Sequence, residues 1–159
     1  MKRSVYIETS VVSYYIARPS RDVVILGHQQ TTHEFWNHLT VNLLPYVSVL
    51  VLQEAGIGDP EMVRKRLEAI DSFPVLQTTQ VSERLAQTII DGHGIPAEFP
   101  EDALHIAIAA LGGMDFIVTW NFKHINNPYT RMAVREAVEG AGLECPEIVS
   151  PDAFTGESS

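Results

Sequence analysis

The chain has 159 residues, 45% of them hydrophobic and 19% charged, which is enough to bury a core in one globular domain and excludes extensive disorder. A formal net charge of −9 excludes a surface coated in Lys and Arg for non-specific nucleic-acid binding. It does not exclude a nuclease, because a metal-dependent site collects carboxylates and bound divalent cations reverse the local field.

Lys2 and Arg3 carry the charge that opens a signal peptide, but Glu8 interrupts the apolar stretch that would have to follow. No apolar run reaches bilayer length, so a soluble cytoplasmic protein is expected. Residues 5–7 (Val, Tyr, Ile) read as a short buried strand. After Pro19, the residues Val23, Val24, Leu26, Phe35, Trp36 and Leu39 predict a long helix, and a strand over 46–49 follows Pro45. Asp59-Pro60-Glu61 is a helix start: an N-cap acceptor, a proline suited to the first helical position and an acid that complements the dipole. Val63, Leu67 and Ile70 share one face of that helix.

Residues 74–76 predict a brief strand, and Val81, Leu85 and Ile89 a further helix that Gly92 and Gly94 end. The run "EDALHIAIAALGG" is rich in helix formers and stops at two glycines. "DFIVTW" reads as another buried strand. Asn127-Pro128 opens a helix with Ala133, Val134, Ala137 and Val138 inward, and residues 147–149 are the last strand. No linker divides the chain, so 1–154 is expected to be one domain and 155–159 ("TGESS") a flexible tail. Strands alternating with helices imply an α/β fold with a mainly parallel sheet covered on both faces. In such a sheet, ligands bind beyond the carboxyl ends of the strands where strand order reverses.

Four stretches place an acidic or amide residue at a core boundary: Glu8 in "YIETS", Glu54 in "SVLVLQEAGIGD", Asp102 in "PEDALHIAIAA" and Asn121 in "IVTWNFKHI". Singly, each has a plain explanation. Glu8 suits a loop after a strand, Glu54 an exposed helix position, Asp102 the first turn of a helix and Asn121 a turn.

Together, and in this order, they resemble the PIN domain, a nuclease fold whose members include the VapC-like toxins of bacterial toxin–antitoxin pairs. The resemblance spans nearly the whole chain, and "DALHIAIAALGGMDFIVTWN" is its most specific part. It implies a sheet of order 3-2-1-4-5 and a Mg2+- or Mn2+-dependent endoribonuclease site at its carboxyl edge. A small antitoxin partner, an RNA substrate and a homodimer come with it. In this reading Glu8 and Asp102 are metal ligands, Glu54 is a ligand through water or an orienter of the nucleophile, and Asn121 is a neutral ligand or an acceptor behind the ligands.

The chemistry agrees with the resemblance. Magnesium and manganese take hard oxygen ligands and keep several waters, so two or three carboxylates plus a substrate phosphate suffice. Thr9, Ser10 and Thr119 can donate hydroxyl hydrogen bonds to the acids. His105, three residues after Asp102, shares its helical face and could meet that carboxylate, the substrate or a structural partner. Arg18, Arg21, Lys123 and His124 could meet RNA phosphates, whereas "RKR" at 64–66 reads as a solvated helix face.

Two positions depart from the family pattern. Glu8 stands where most relatives have Asp, extending the carboxylate by about 1.5 Å. Asn121 stands where many have a fourth acid, which favours one metal over two. Those departures define the alternative, a non-catalytic PIN-fold module that binds RNA or protein; a structure-specific DNA nuclease is a third reading. His28, His33 and His38 recur every five residues, unlike a paired-histidine zinc motif, and are expected at the surface or against a partner. No phosphate-cradling glycine loop or nucleophile elbow is present.

Overall fold

Val5, Tyr6 and Ile7 have no solvent exposure, and the reason is their place in the sheet. In the computed structural model, which describes residues 1–156, strand β1 (Arg3–Ile7) pairs with β2 (Leu43–Ser48) on one side and β4 (Phe116–Val118) on the other. Strands β3 (Val75–Leu76) and β5 (Glu147–Val149) complete a five-stranded sheet of order β3-β2-β1-β4-β5, every pairing parallel. This is the α/β architecture and strand order expected. Of the expected tail, Thr155 caps a final 3-10 turn (Pro151–Phe154), while residues 157–159 lie outside the described residues.

The connections are helical. Helices α1 (Thr9–Ile16) and α2 (Val23–Asn42) join β1 to β2, α3 (Val49–Ala55) and α4 (Pro60–Ala69) join β2 to β3, α5 (Gln80–Asp91) and α6 (Pro100–Leu111) join β3 to β4, and α7 (Pro128–Gly140) joins β4 to β5. Right-handed crossovers put the first four on one face and the last three on the other, because strand order runs outward from β1 in opposite directions. The packing agrees: α1 contacts α2, α3 and α4, whereas α5 contacts α6 and α7. The reversal of strand order therefore falls between β1 and β4, with Glu8 and Asn121 just beyond it. Among the described residues, no helix is long and apolar enough to cross a membrane.

The local signals act as expected at most helix starts. Asp59 accepts from the Met62 N–H, Asn127 from the Thr130 N–H, and Thr79 and Ser82 form a reciprocal capping box. Helix α6 buries nearly its whole circumference, with alanines at 103, 107, 109 and 110 letting it lie close between the sheet and α5. Strand β2 begins earlier than expected and contains Pro45. The Val47 N–H bonds toward the β3 side, to the Pro74 carbonyl. Pro45, two residues earlier, faces the same way before β3 begins, so its missing donor costs no ladder bond.

Four features lie outside the sequence expectation. Helix α1 carries a strand-like Val/Tyr/Ile run, yet Val11 and Val12 are buried beneath it as a helix. Val23 and Val24 open α2 but face solvent. Among the spaced histidines, His33 and His38 are exposed, whereas His28 is half-buried with its ring stacked on Trp120 at 4.1 Å. In "RKR", Arg64 is exposed and pairs with Glu61 and Glu68, but Arg66 turns inward and donates to the Ala55 and Ile57 carbonyls at the end of α3.

At the end of α6, Gly113 has φ of 72°, and a Cβ there would meet nothing within 4 Å. Gly113→Ala is therefore a pure backbone test: urea denaturation is expected to show a loss of ~1–2 kcal/mol. An unchanged midpoint would mean the turn relaxes freely.

Candidate functional site

Glu8 leaves the sheet without leaving the core. Its N–H still donates to the Val118 carbonyl at 3.1 Å, and it occupies the N-cap position of α1 while its side chain makes no cap bond. The carboxylate turns to the β4 side, where Oε1 accepts from Thr119 Oγ1 at 2.6 Å and Ser10 Oγ at 2.5 Å. Each hydroxyl is itself positioned by the turn after β4: Thr119 Oγ1 accepts the Asn121 N–H and Ser10 Oγ accepts the Trp120 N–H, both at 2.9 Å. A buried carboxylate needs such donors, and Glu8, 6% exposed, has two on one oxygen.

Glu54, in the last turn of α3, is built the same way. Its Oε1 accepts from Thr9 Oγ1 at 2.5 Å and from His105 Nε2 at 2.7 Å. His105 is wholly buried, and its Nδ1 lies 2.6 Å from Tyr6 Oη, which is 2.7 Å from Ser48 Oγ. Ser48 Oγ in turn accepts the Val51 N–H as the N-cap of α3. An ionised Glu54 only accepts, so Nε2 carries the proton. In the neutral ring, Tyr6 then donates to Nδ1 and Ser48 donates to Tyr6; in the cation both hydroxyls reverse. Tyr6 and Ser48 are the site residues that sequence reasoning missed. Their signals were a polar-tipped ring in a buried strand and a serine heading an apolar helical run.

Ligand atoms of Glu8, Glu54 and His105 all lie within 4.8 Å of one another. Because both His105 nitrogens are engaged, this histidine holds Glu54 in place and leaves the carboxylates as the free donors. Asp102, in the first turn of α6, is joined instead to His124, whose Nδ1 lies 3.0 Å from Oδ2. The Asn121 side chain adjoins Asp102, and its Oδ1 accepts the His124 N–H at 3.0 Å, which clamps the turn. Thus Thr9, Ser10, His105 and Thr119 all meet acids, as does His124. Arg18, Arg21 and Lys123 are exposed and form no hydrogen bond or ion pair with the acids.

The electrostatics follow from this packing. Burial and the neighbouring Glu8 charge raise the Asp102 carboxyl above its ordinary value, against the opposing pull of His124, His105 and Asn121. Burial would raise Glu54 too, but the His105 and Thr9 donors outweigh it and hold Glu54 below the usual range. Burial would lower His105, yet the Glu54 bond and the charges of Glu8, Glu54 and Asp102 leave it raised. Tyr6 is pushed up mainly by burial.

Oε2 of Glu8 and Oε2 of Glu54 have no hydrogen-bond partner among the described residues. No fully buried side-chain nitrogen or oxygen among the described residues lacks a partner, so these two oxygens reach solvent. Hard, anionic oxygens held by fixed neighbours are the donor set that suits magnesium or manganese. Neither a protein-family model nor a curated protein sequence matches this chain.

Two measurements test the buried network. Tyr6→Phe keeps the ring but leaves His105 Nδ1 unpaired, and is expected to cost about 1–3 kcal/mol in urea unfolding; no loss would show that the hydroxyl is dispensable. The second uses pH in metal-free buffer. Glu54, depressed, contributes stability that is lost as pH falls below its ordinary 4.5, and His105, raised, contributes stability that is lost as pH climbs above its ordinary 6.5. Subtracting the Glu54→Gln stability curve from the wild-type curve should give a maximum between those values, and a flat difference would dissolve the pair.

Proposed function

We propose that the chain is a PIN-fold, VapC-like endoribonuclease that hydrolyses RNA phosphodiester bonds with a bound divalent cation. The observation that carries this reading is the matched construction of Glu8 and Glu54: each spends one oxygen on two protein donors and leaves the other to solvent. They stand beside Asp102 at the carboxyl end of the central parallel strand, where open sheets bind ligands. When bound, a Mg2+ or Mn2+ ion neutralises the acids and polarises the phosphodiester toward attack.

The chain's own residues divide the remaining work. Glu8 and Asp102 would hold the cation, and both the burial and the Glu8 charge that raise Asp102 would be offset when they do. Glu54, kept ionised by His105 and Thr9, is a poor proton store and orients an attacking water through Oε2. Thr119 and Ser10 fix the Glu8 carboxylate, which offsets the extra methylene of glutamate by removing its freedom. On this reading the enzyme is the toxin of a type II pair, acts as a homodimer, and has a small antitoxin protein that covers the acids.

A second reading, a PIN-fold module that binds without turnover, is favoured by Asn121: its amide adds no charge and its oxygen also accepts the His124 N–H. One experiment separates them. RNA cleavage titrated with Mg2+ and Mn2+, paired with calorimetry of each cation, should show metal-dependent cutting by wild type. Thr119→Val is expected to weaken cation affinity about 10–100-fold. Equal residual cleavage by wild type and Asp102→Ala sinks the nuclease assignment, and cation binding without any cleavage favours the binding module.

A further inference from the structure

We infer that Trp120 is a positioning residue through which α2, a helix that carries none of the site's acids, holds the Glu8 carboxylate in place. The inference rests on the reading of Glu8 as a cation ligand and deepens it by naming what fixes that ligand. Trp120 acts through Ser10 and the turn after β4, not on the acid directly.

A tryptophan that enters a core brings an N–H that must be paired. Trp120 is 7% exposed, and its Nε1 donates to Thr32 Oγ1 at 2.8 Å. Thr32, in the middle of α2, has no solvent exposure and spends its own proton on the His28 carbonyl one turn back, at 2.6 Å. Its oxygen is therefore left to accept. The indole also lies in an aromatic slot, with the His28 ring stacked on it at 4.1 Å and Tyr14 of α1 at 6.1 Å. The side chain of Trp120 is thus fixed by the helices that join β1 to β2.

Its backbone serves the acid. The Trp120 N–H donates to Ser10 Oγ at 2.9 Å, which leaves the single Ser10 proton for Glu8 Oε1. Its two chain neighbours supply the other Glu8 contact: Thr119 Oγ1 donates to Oε1 and accepts the Asn121 N–H. A shift of Trp120 would disturb both donors of Glu8 together. A phenyl ring would fill the same slot, but it could not donate to Thr32. Outer hydrogen bonds of this kind orient a ligand and set its affinity for a cation.

The test compares Thr32→Val, which keeps the shape and removes the acceptor, with Thr32→Ser, which keeps the hydroxyl. In metal-free buffer, hydrogen exchange followed by NMR should show the Trp120 backbone N–H exchanging about fivefold faster in Thr32→Val. That gain should exceed any acceleration shared by the ladder amides of β1 and be reversed in Thr32→Ser. Calorimetry with Mg2+ and Mn2+, below the unfolding temperature of every variant, should show affinity weakened about tenfold by Thr32→Val and restored by Thr32→Ser. In a Ser10→Ala background, Thr32→Val should weaken affinity less than it does alone, because part of the connection is already cut. A purely structural tryptophan would speed all these amides alike and leave the affinity of the folded protein unchanged, and that result overturns the inference. So does a Trp120 amide that exchanges as in wild type. Absence of cation binding by wild type, with the Trp120 amide still released by Thr32→Val, sinks the ribonuclease reading alone. Cation binding that is equal in all three proteins sinks the positioning role alone.

Discussion

A carboxylate taken out of water at the end of the central strand must find donors, and the donors of Glu8 determine where its neighbours lie. Thr119 comes from the end of β4 and Ser10 from the first turn of α1, and each is locked by a backbone N–H of the turn that follows β4. Removing one donor would leave a buried charge under-satisfied, a cost larger than the bond itself contributes. The acid is thus both a functional candidate and the joint between the two halves of the sheet.

Glu54 extends the same logic to the other side. Its partners Thr9 and His105 belong to α1 and α6, and His105 is completed by Tyr6 of β1 and Ser48 at the start of α3. The chain of contacts starts at the N-cap of α3 and returns to the last turn of that same helix through the sheet and α6. Such a loop has no slack: a rotation of His105 that improved one bond would lengthen the other. The geometry of Glu54 is therefore set by buried groups and is insulated from motion of the exposed loops.

Much of this was legible in the sequence, for physical reasons that differ by residue. The strands were readable as short apolar runs, and Glu8, Glu54, Asp102 and Asn121 stood out because each ends or interrupts such a run. Asn127-Pro128 and Asp59-Pro60 announced their helices by cap chemistry. Helix α1 was not legible, since Val, Tyr and Ile favour strands and only the burial of Val11 and Val12 decides for helix. The partner of His105 was left open by periodicity. Three residues place it on the same face as Asp102 but about 4.5 Å further along the axis, deep enough to reach Glu54 while Asp102 meets His124. Spacing gives a face and not a depth.

The amide at position 121 bears on the same electrostatics. An aspartate there could accept the His124 N–H as Asn121 does, but it would set a further negative charge beside Asp102, whose carboxyl is already raised by burial and by Glu8. With Asn121 neutral, Asp102 meets the His124 side chain directly and no further charge joins the repulsion among the acids. A neutral amide at this position adds nothing to the electrostatic cost of gathering the acids. Glu8, Glu54 and Asp102 are thus the anionic side chains gathered at this end of the sheet, with Asn121 acting on the backbone that presents His124 to Asp102.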